Sequence, residues 1–260
     1  MRRDNLFWGT ALILVGVLLF LQTQGYIGNI FPYLWPLALI LVGGWIILGV
    51  YWRPARSEEE TFVVPLAAAK SARFKFSHGA GQIEITGGAP AGQALVGSSA
   101  VGMNKSSRLD GDRLEVKVEA GPSFLPFLGP SQGVWQFRLT QEIPLTLSVE
   151  AGASSVNLDL QDVLASHVEL NTGASSSKVT VPARGVSLLE IEAGAASVKV
   201  RVPPATAARI RVEEGVTSVN VDTNRFPRLD SGFYQSAGYD TAADRSDISI
   251  EAGLGSVTVM

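Results

Sequence analysis

The sequence contains no cysteine, only two histidines and no block of basic residues among its 260 positions. Without cysteine there can be no disulfide, no thiolate metal ligand and no cysteine nucleophile. This absence fits a reducing compartment without requiring one. The net charge is −3, and no basic run suggests contact with nucleic acid. The composition therefore excludes several chemistries before any motif is considered.

What the sequence does contain is a repeat of 21 residues in its C-terminal half. The copies read LSVEAGASSVNLDL, VELNTGASSSKVTVP, LEIEAGAASVKVRVP and IRVEEGVTSVNVD, with their glycines at Gly152, Gly173, Gly194 and Gly215. Two further copies surround Gly79 (FKFSHGAGQIEIT) and Gly253 (ISIEAGLGSVTV). A fixed period of this kind predicts a repeat architecture.

Apolar residues recur at fixed distances from each of these glycines. Around Gly152 they are Leu147, Val149, Val156 and Leu158. Alternation of this type indicates half-buried strands, so each repeat predicts two short strands with a glycine turn between them. Glycine suits such a turn because it tolerates positive φ and close backbone approach. Stacked copies can bury the face that one copy cannot, so we expect an all-β solenoid or stack of hairpins over residues 62–260, with its glycines in one column.

Shorter segments complete this predicted β-repeat domain. Residues 93–120 predict a hairpin with its turn at Asp110–Gly111, and residues 134–140 predict a strand. After Val221 the spacing breaks. The inserted aromatic residues are expected to cover the open end of the stack; they are Phe226, Phe233, Tyr234 and Tyr239. The apolar, proline-rich loop 121–133 either contacts a membrane or partner or folds over the core.

The N-terminal residues 1–52 predict a transmembrane hairpin. Residues 6–24 and 31–52 carry no charge, and each approaches the roughly 20 residues that span a bilayer. A polar linker, residues 53–61, follows. Basic residues flank the hairpin at Arg2, Arg3, Arg53 and Arg56, whereas the connection between the helices has none. Because basic residues favour the cytoplasmic side, we expect both termini and the β domain to be cytoplasmic.

The segments RRDNLFWGTALILVGVLLFL and FPYLWPLALILVGGWIILG resemble the membrane region of LiaF-like cell-envelope stress proteins of bacteria. The repeats and the ending EAGLGSVTVM resemble the toast-rack β domain of the same proteins, so the resemblance covers nearly the whole chain. It implies a two-pass protein of the bacterial cell membrane that modulates envelope-stress signalling without catalysis. Its expected partners are membrane lipid, a membrane sensor kinase or further copies of the chain. Some relatives have four membrane helices, and the family offers no catalytic residues to carry over.

No catalytic, cofactor or metal site is predicted from the remaining motifs. His78 and His167 are interpreted as exposed turn histidines, since neither has metal-ligand spacing. The segments GAGQ and GASS are not phosphate loops, because no GK[ST] follows and a strand stands where a helix should. The chain is therefore expected to be a binding protein and not an enzyme, with a structural scaffold or adhesin of stacked repeats as the alternative.

One acidic column is the remaining candidate for ligand chemistry. Two residues before their glycines stand Glu150, Asn171, Glu192, Glu213 and Glu251. We call each copy of the repeat a rung of the stack. Neighbouring rungs lie about 4.8 Å apart, so such carboxylates could together bind Ca²⁺. Independent solvated carboxylates are the commoner explanation, and basic residues one register over could offset their repulsion; these are Lys178, Lys199 and Arg201.

Overall fold

The computed structural model describes residues 60–99, 103–120, 132–229 and 232–260, together with the isolated positions 20, 23–25, 35 and 39. The chain divides into two compact units, Met1–Arg56 and Ser57–Met260. The two predicted membrane spans and the 121–131 part of the proline-rich loop lie outside the described residues. Among the residues that are described, no helix has the length and apolar character that crossing a bilayer requires.

The described part of the second unit consists almost entirely of β-strands. They are β1 (Glu60–Pro65), β2 (Ser71–Gly87), β3 (Gln93–Ser99), β4 (Met103–Asp110), β5 (Arg113–Ala120), β6 (Gln132–Leu139), β7 (Leu145–Asp159), β8 (Ala165–Thr180), β9 (Val186–Arg201), β10 (Ala207–Val221), β11 (Tyr234–Gln235) and β12 (Arg245–Val259). They form a 12-stranded sheet, and a 3-10 turn, Tyr239–Thr241, lies in the last connection. The predicted all-β stack is confirmed.

Each repeat forms one long strand and not two short strands with a glycine turn. Strand β7 runs unbroken through Gly152, and β8 and β9 run through their glycines in the same way. The repeat glycines from Gly152 to Gly215 do not have positive φ. The prediction of a turn was wrong because parallel neighbours pair with each strand both before and after its glycine. The hydrogen-bond ladder therefore continues past the glycine.

The alternation of buried side chains changes phase at each glycine, which divides every long strand into two arms. We call the part before the glycine the first arm and the part after it the second arm. In β7 the buried residues are Leu145, Leu147, Val149 and Ala151 before Gly152, and Val156 and Leu158 after it. The parity therefore switches from odd to even positions. Residues from both arms belong to one hydrophobic cluster, so the sheet folds along its glycines around a shared core.

The stacking order differs from the order of the chain. Strands β2, β7, β8 and β9 are neighbours in the stack in the order in which they occur in the chain, but β12 then lies between β9 and β10. All these pairings are parallel, and the glycines form one column in the order Gly79, Gly152, Gly173, Gly194, Gly253 and Gly215. The single column is confirmed. The copy around Gly253 stands inside the stack, between two copies that are neighbours in sequence.

On the other side of β2 the two arms pair with different strands. The first arm pairs in parallel with β5, and the second arm with β6. Strand β4 adds to β5 as an antiparallel hairpin with Gly111 in its turn, which confirms the C-terminal half of the predicted hairpin. Strand β3 does not belong to that hairpin, because it pairs with β6 and β1.

The connection after β10 covers only part of the stack's end. Phe226 and Tyr239 are buried, and β11 pairs with β10 at Arg209 and Ile210. The predicted aromatic cap is therefore confirmed for the beginning of the first arm. The rest of the outer edge of β10 has no pairing strand among the described residues.

Candidate functional site

A groove runs along the glycine column on the outside of the fold. Its volume is about 650 Å³, and we call it the apical groove. The exposed backbone of the column glycines lines it, together with side chains of the first arms. Because glycine carries no side chain, successive rungs leave a continuous channel where other residues would fill the space.

Most of the acidic column predicted from the sequence lines this groove, namely Glu150, Asn171, Glu192 and Glu251. Parallel registers place Glu150 beside Asn171, Asn171 beside Glu192, Glu192 beside Glu251, and Glu251 beside Glu213. We call these five residues the acidic ladder. The predicted alignment is confirmed, with Glu251 inserted before Glu213. The inserted strand brings three carboxylates onto consecutive rungs at a spacing of about 4.8 Å.

Among the described residues, two cations contact the acidic ladder, one near each end. The Lys75 ammonium lies 2.6 Å from Glu150, and the Arg211 guanidinium lies 3.0 Å from Glu213. The hydrogen bond and the charge of Glu150 raise the pKa of Lys75 above its ordinary value. In the described part of the chain no cation lies within ion-pair distance of Glu192 or Glu251. The middle of the ladder therefore carries uncompensated negative charge.

The basic residues expected to offset this charge lie elsewhere. Lys178 and Lys199 follow their glycines and stand side by side on the second arm, so the column separates them from the ladder. The suggested role of these lysines was wrong, because the two arms enclose the core from different sides and their outward side chains lie on different faces. Lys75 was missed because the rungs of the main run carry Ser148, Glu169 and Glu190 at the equivalent position. Its four-residue distance from Gly79 was the available signal.

The chemistry of the groove is that of a polar binding surface. Across the described residues no group of three or more acidic or histidine side chains has the geometry to hold a metal ion. The amide of Asn171 instead donates a hydrogen bond to Glu169 at 2.9 Å, which draws it toward its own strand. What the groove offers an extended ligand is a row of carboxylates beside exposed backbone.

The two histidines occupy different environments. His167 is partly exposed but lies within strand β8 and not in a turn, so that part of its interpretation was wrong; its Nε2 lies 3.1 Å from Glu190. His78 lines the groove but is only 3% exposed, and its ring stacks on Trp135 with centroids 4.3 Å apart. The interpretation of His78 as an exposed turn residue was wrong. Alanine or threonine stands at this position in the other rungs except that of Gly215. His78 packs against β6, which those rungs do not contact.

A second hollow of about 460 Å³ lies where the last connection crosses the first arms. Arg209 forms an ion pair with Asp247 here and stands over the ring of Tyr239 at 5.0 Å. Burial raises the pKa of Tyr239, and the neighbouring Asp247 adds to the effect. The hollow also contains Asp240 and Arg245. Its positive and negative charges compensate one another, which indicates a structural contact between the last connection and the first arms.

Two family models match the sequence. Residues 53–201 match the N-terminal domain of toast_rack, DUF2154, which covers more than half of the chain. Residues 6–47 match the LiaI-LiaF-like transmembrane region. No curated protein matches the chain. The matched families thus agree with both parts of the resemblance derived from the sequence.

Two solved structures are similar to the chain. A candidate cell adhesion protein from Clostridium sporogenes ATCC 15579 has a TM-score of 0.70 at 18% identity, covering 78% of this chain and 98% of its own. A candidate adhesin from Bacteroides fragilis NCTC 9343 has a TM-score of 0.32 at 8% identity over the same shares, and no argument rests on it. At these identities the first structure shows a shared fold alone.

Proposed function

The chain belongs to the toast-rack family and carries a LiaI-LiaF-like transmembrane region, and on this basis we propose that it modulates cell-envelope stress signalling as a membrane-anchored, non-enzymatic binding protein. The observation that carries the proposal is the presence of both family regions in one chain. A membrane region joined to the β-repeat domain, here called the β rack, confines a binding surface to the membrane in which a sensor kinase is located. Confinement raises the effective concentration of the two partners.

The apical groove is the contact surface that we assign to this role. It presents uncompensated carboxylates at Glu192 and Glu251 beside exposed backbone, both of which suit an extended partner with cationic or hydrogen-bond-donating groups. No part of this role requires turnover. The buried setting of His78 supports the proposal, because the only described histidine at the groove is a packing residue.

The signalling role can be tested in a deletion strain with a transcriptional reporter under cell-wall antibiotic stress. We expect deletion to change the stress response and full-length protein to restore it. An unchanged response after deletion would overturn the proposal. A second strain carries the full chain with Glu192→Gln and Glu251→Gln. It should restore the response poorly, whereas the matched Glu84→Gln and Asp159→Asn variant on the second arms should restore it fully.

A second candidate function, adhesion or scaffolding at the cell surface, is favoured by the likeness to the Clostridium sporogenes protein. It requires the β rack to face the exterior. The basic residues around the predicted hairpin favour the opposite orientation, because Arg2, Arg3, Arg53 and Arg56 flank its ends. The side of the membrane on which Met260 lies therefore discriminates between the two functions.

A further inference from the structure

The last strand of the stack presents a free edge. Strand β10 pairs along its whole length with β12 on one side. On the other side β11 pairs only with Arg209 and Ile210, and no other described strand continues the ladder toward Val221. We call the segment from Val212 to Val221 the open edge. Its outward N–H and C=O groups can accept a further strand.

The core behind the open edge is incompletely covered. Val212 and Val219 point into the shared core but remain partly exposed. Their counterparts on the two preceding rungs are at most 1% exposed; these are Ile191, Ile250, Val198 and Val257. The difference arises because each of those residues has a strand on both sides. One more strand at the open edge would bury both valines.

The sheet's other outer strands are protected against such pairing, whereas most of the open edge, from Gly215 to Val221, is not. Strand β4 is exposed from Asn104 to Asp110 and carries Lys105, Arg108 and Asp110. Strand β1 begins with Glu60 and ends with Pro65, which has no N–H to donate. Charges and proline are the usual means of blocking edge pairing. Residues 215–221, by contrast, contain neither a charged residue nor a proline.

We propose that the open edge pairs with the same edge of a second copy of this chain, about a two-fold axis, to form a dimer. An identical edge matches in length. Its charged residues, Glu213 and Glu214, stand near the first-arm end, and an antiparallel contact sets that end opposite the uncharged residues of the other copy. A head-to-tail contact would instead require pairing with β1 or β4, where proline and charges oppose it. The self-complementary contact closes after two copies and does not propagate into a fibre. Anchoring at one membrane favours it by raising effective concentration.

Cysteine cross-linking of the full chain in native membranes tests the dimer, because the sequence has no cysteine to interfere. Ser218→Cys and Asn220→Cys, tested separately, place an exposed thiol on the open edge. A short bifunctional thiol reagent should convert at least one of them into a species of twice the mass. Asn104→Cys, exposed on β4, is the matched control and should remain monomeric. Monomers at both edge positions, equal cross-linking of the control, or an adduct of another mass would each overturn the proposal.

A second variant separates pairing from folding. Val219→Lys adds a charge to the open edge and should abolish cross-linking through Ser218→Cys while the β circular dichroism signal persists. Val134→Lys on β6, where Val134 is already 45% exposed, should leave cross-linking intact. Two differently tagged full-length copies should copurify from detergent, and Val219→Lys should remove that copurification. Persistence of copurification in the folded Val219→Lys variant would contradict the assignment of the contact to this edge.

Discussion

At the scale of the residue, the column glycines are required for space and not for conformation. A Cβ on Gly152 would overlap the carbonyl oxygen of Gly79, whereas one on Gly173 would lie 3.1 Å from the carbonyl oxygen of Gly152. Neither glycine has positive φ, so alanine could adopt both backbone conformations. Alanine also restricts the unfolded chain, which favours folding by about 0.4–1 kcal/mol where no strain results. The outcome at each position therefore depends on the overlap.

We predict that Gly152→Ala destabilises the fold by about 1–3 kcal/mol, the range for overpacking a close contact. Gly173→Ala should be close to neutral, since its neighbour must move by only a few tenths of an ångström. Thermal unfolding of the full chain in detergent, followed by far-ultraviolet circular dichroism, measures both. If Gly152→Ala were as stable as Gly173→Ala, the carbonyl group of Gly79 would be able to move aside without the expected cost.

Tyr239 gives the fold a specific sensitivity to alkaline pH. Burial raises its pKa above the ordinary value of about 10, because the folded state disfavours the phenolate. A raised folded pKa contributes stability below pH 10 that is lost as the pH rises through the folded value. The raised pKa of Lys75 acts in the same direction at higher pH.

We predict that Tyr239→Phe unfolds at the same temperature as the parent near pH 7 and at a higher temperature above pH 10. The half-buried Tyr234→Phe serves as the control and should follow the parent. Melting temperatures across pH 7–11.5 measure the effect. If the two variants lose stability in parallel with the parent, burial of the Tyr239 hydroxyl has no thermodynamic consequence.

At the scale of the element, one arginine joins the connection from β10 to β12 to the segment that follows β9. The Arg225 guanidinium donates hydrogen bonds to the carbonyl oxygens of Val202, at 2.5 Å, of Pro203, and of Thr206, at 3.2 Å. These acceptors lie in the segment between β9 and β10, so the contacts hold the later connection against that segment. Desolvation lowers the pKa of Arg225, but the group stays charged at neutral pH. A planar fork is needed because three carbonyls are engaged at once.

We predict that Arg225→Lys destabilises the fold by about 1–3 kcal/mol, since an ammonium cannot reproduce the fork and leaves carbonyls unsatisfied. Arg228→Lys, an exposed residue of the same connection, should change stability by less than about 0.5 kcal/mol. Chemical denaturation of the two full-length variants compares them. A neutral Arg225→Lys would mean that water replaces the lost contacts, and that Phe226 fastens the connection by its burial.

At the scale of the whole molecule, orientation in the membrane decides which function is accessible. The flanking basic residues predict a cytoplasmic β rack, which a signalling partner could reach from inside and an adhesion receptor could not. The alternation of charged and uncharged segments in residues 1–56 is the basis of this expectation.

We predict that a reporter fused after Met260 is active only in its cytoplasmic form. Moving Arg53 and Arg56 into the connection between the predicted helices should reduce that activity, because basic residues near helix ends set orientation. Paired reporters, one active only inside and one only outside, measure both results. Activity of the exterior reporter on the parent chain would reverse the predicted orientation and favour the adhesion function.

The sequence by itself determined the repeat and its stacking, although not the single long strand within each copy. The 21-residue spacing, the alternation of apolar residues and the glycine at each centre predicted an all-β stack with one glycine column and an acidic ladder. These features are local, because each copy carries its own strand pattern and its own glycine. They also tolerate exceptions: Ser177 replaces a core valine and is fully buried, but its hydroxyl lies 3.1 Å from that of Ser175.

Only the tertiary structure decided the order of the rungs and what happens at the ends of the stack. Every copy has the same glycine and the same apolar offsets, so β12 pairs with β9 and β10 as well as any neighbour in sequence would. Periodicity cannot distinguish interchangeable partners; the long connection after Val221 allows the last strand to return between them. That return sets Glu251 between Glu192 and Glu213 and leaves β10 at the edge. The burial of His78 has the same origin, since its partner Trp135 comes from a strand 57 residues later in the chain (135 − 78) that no repeat pattern places beside it.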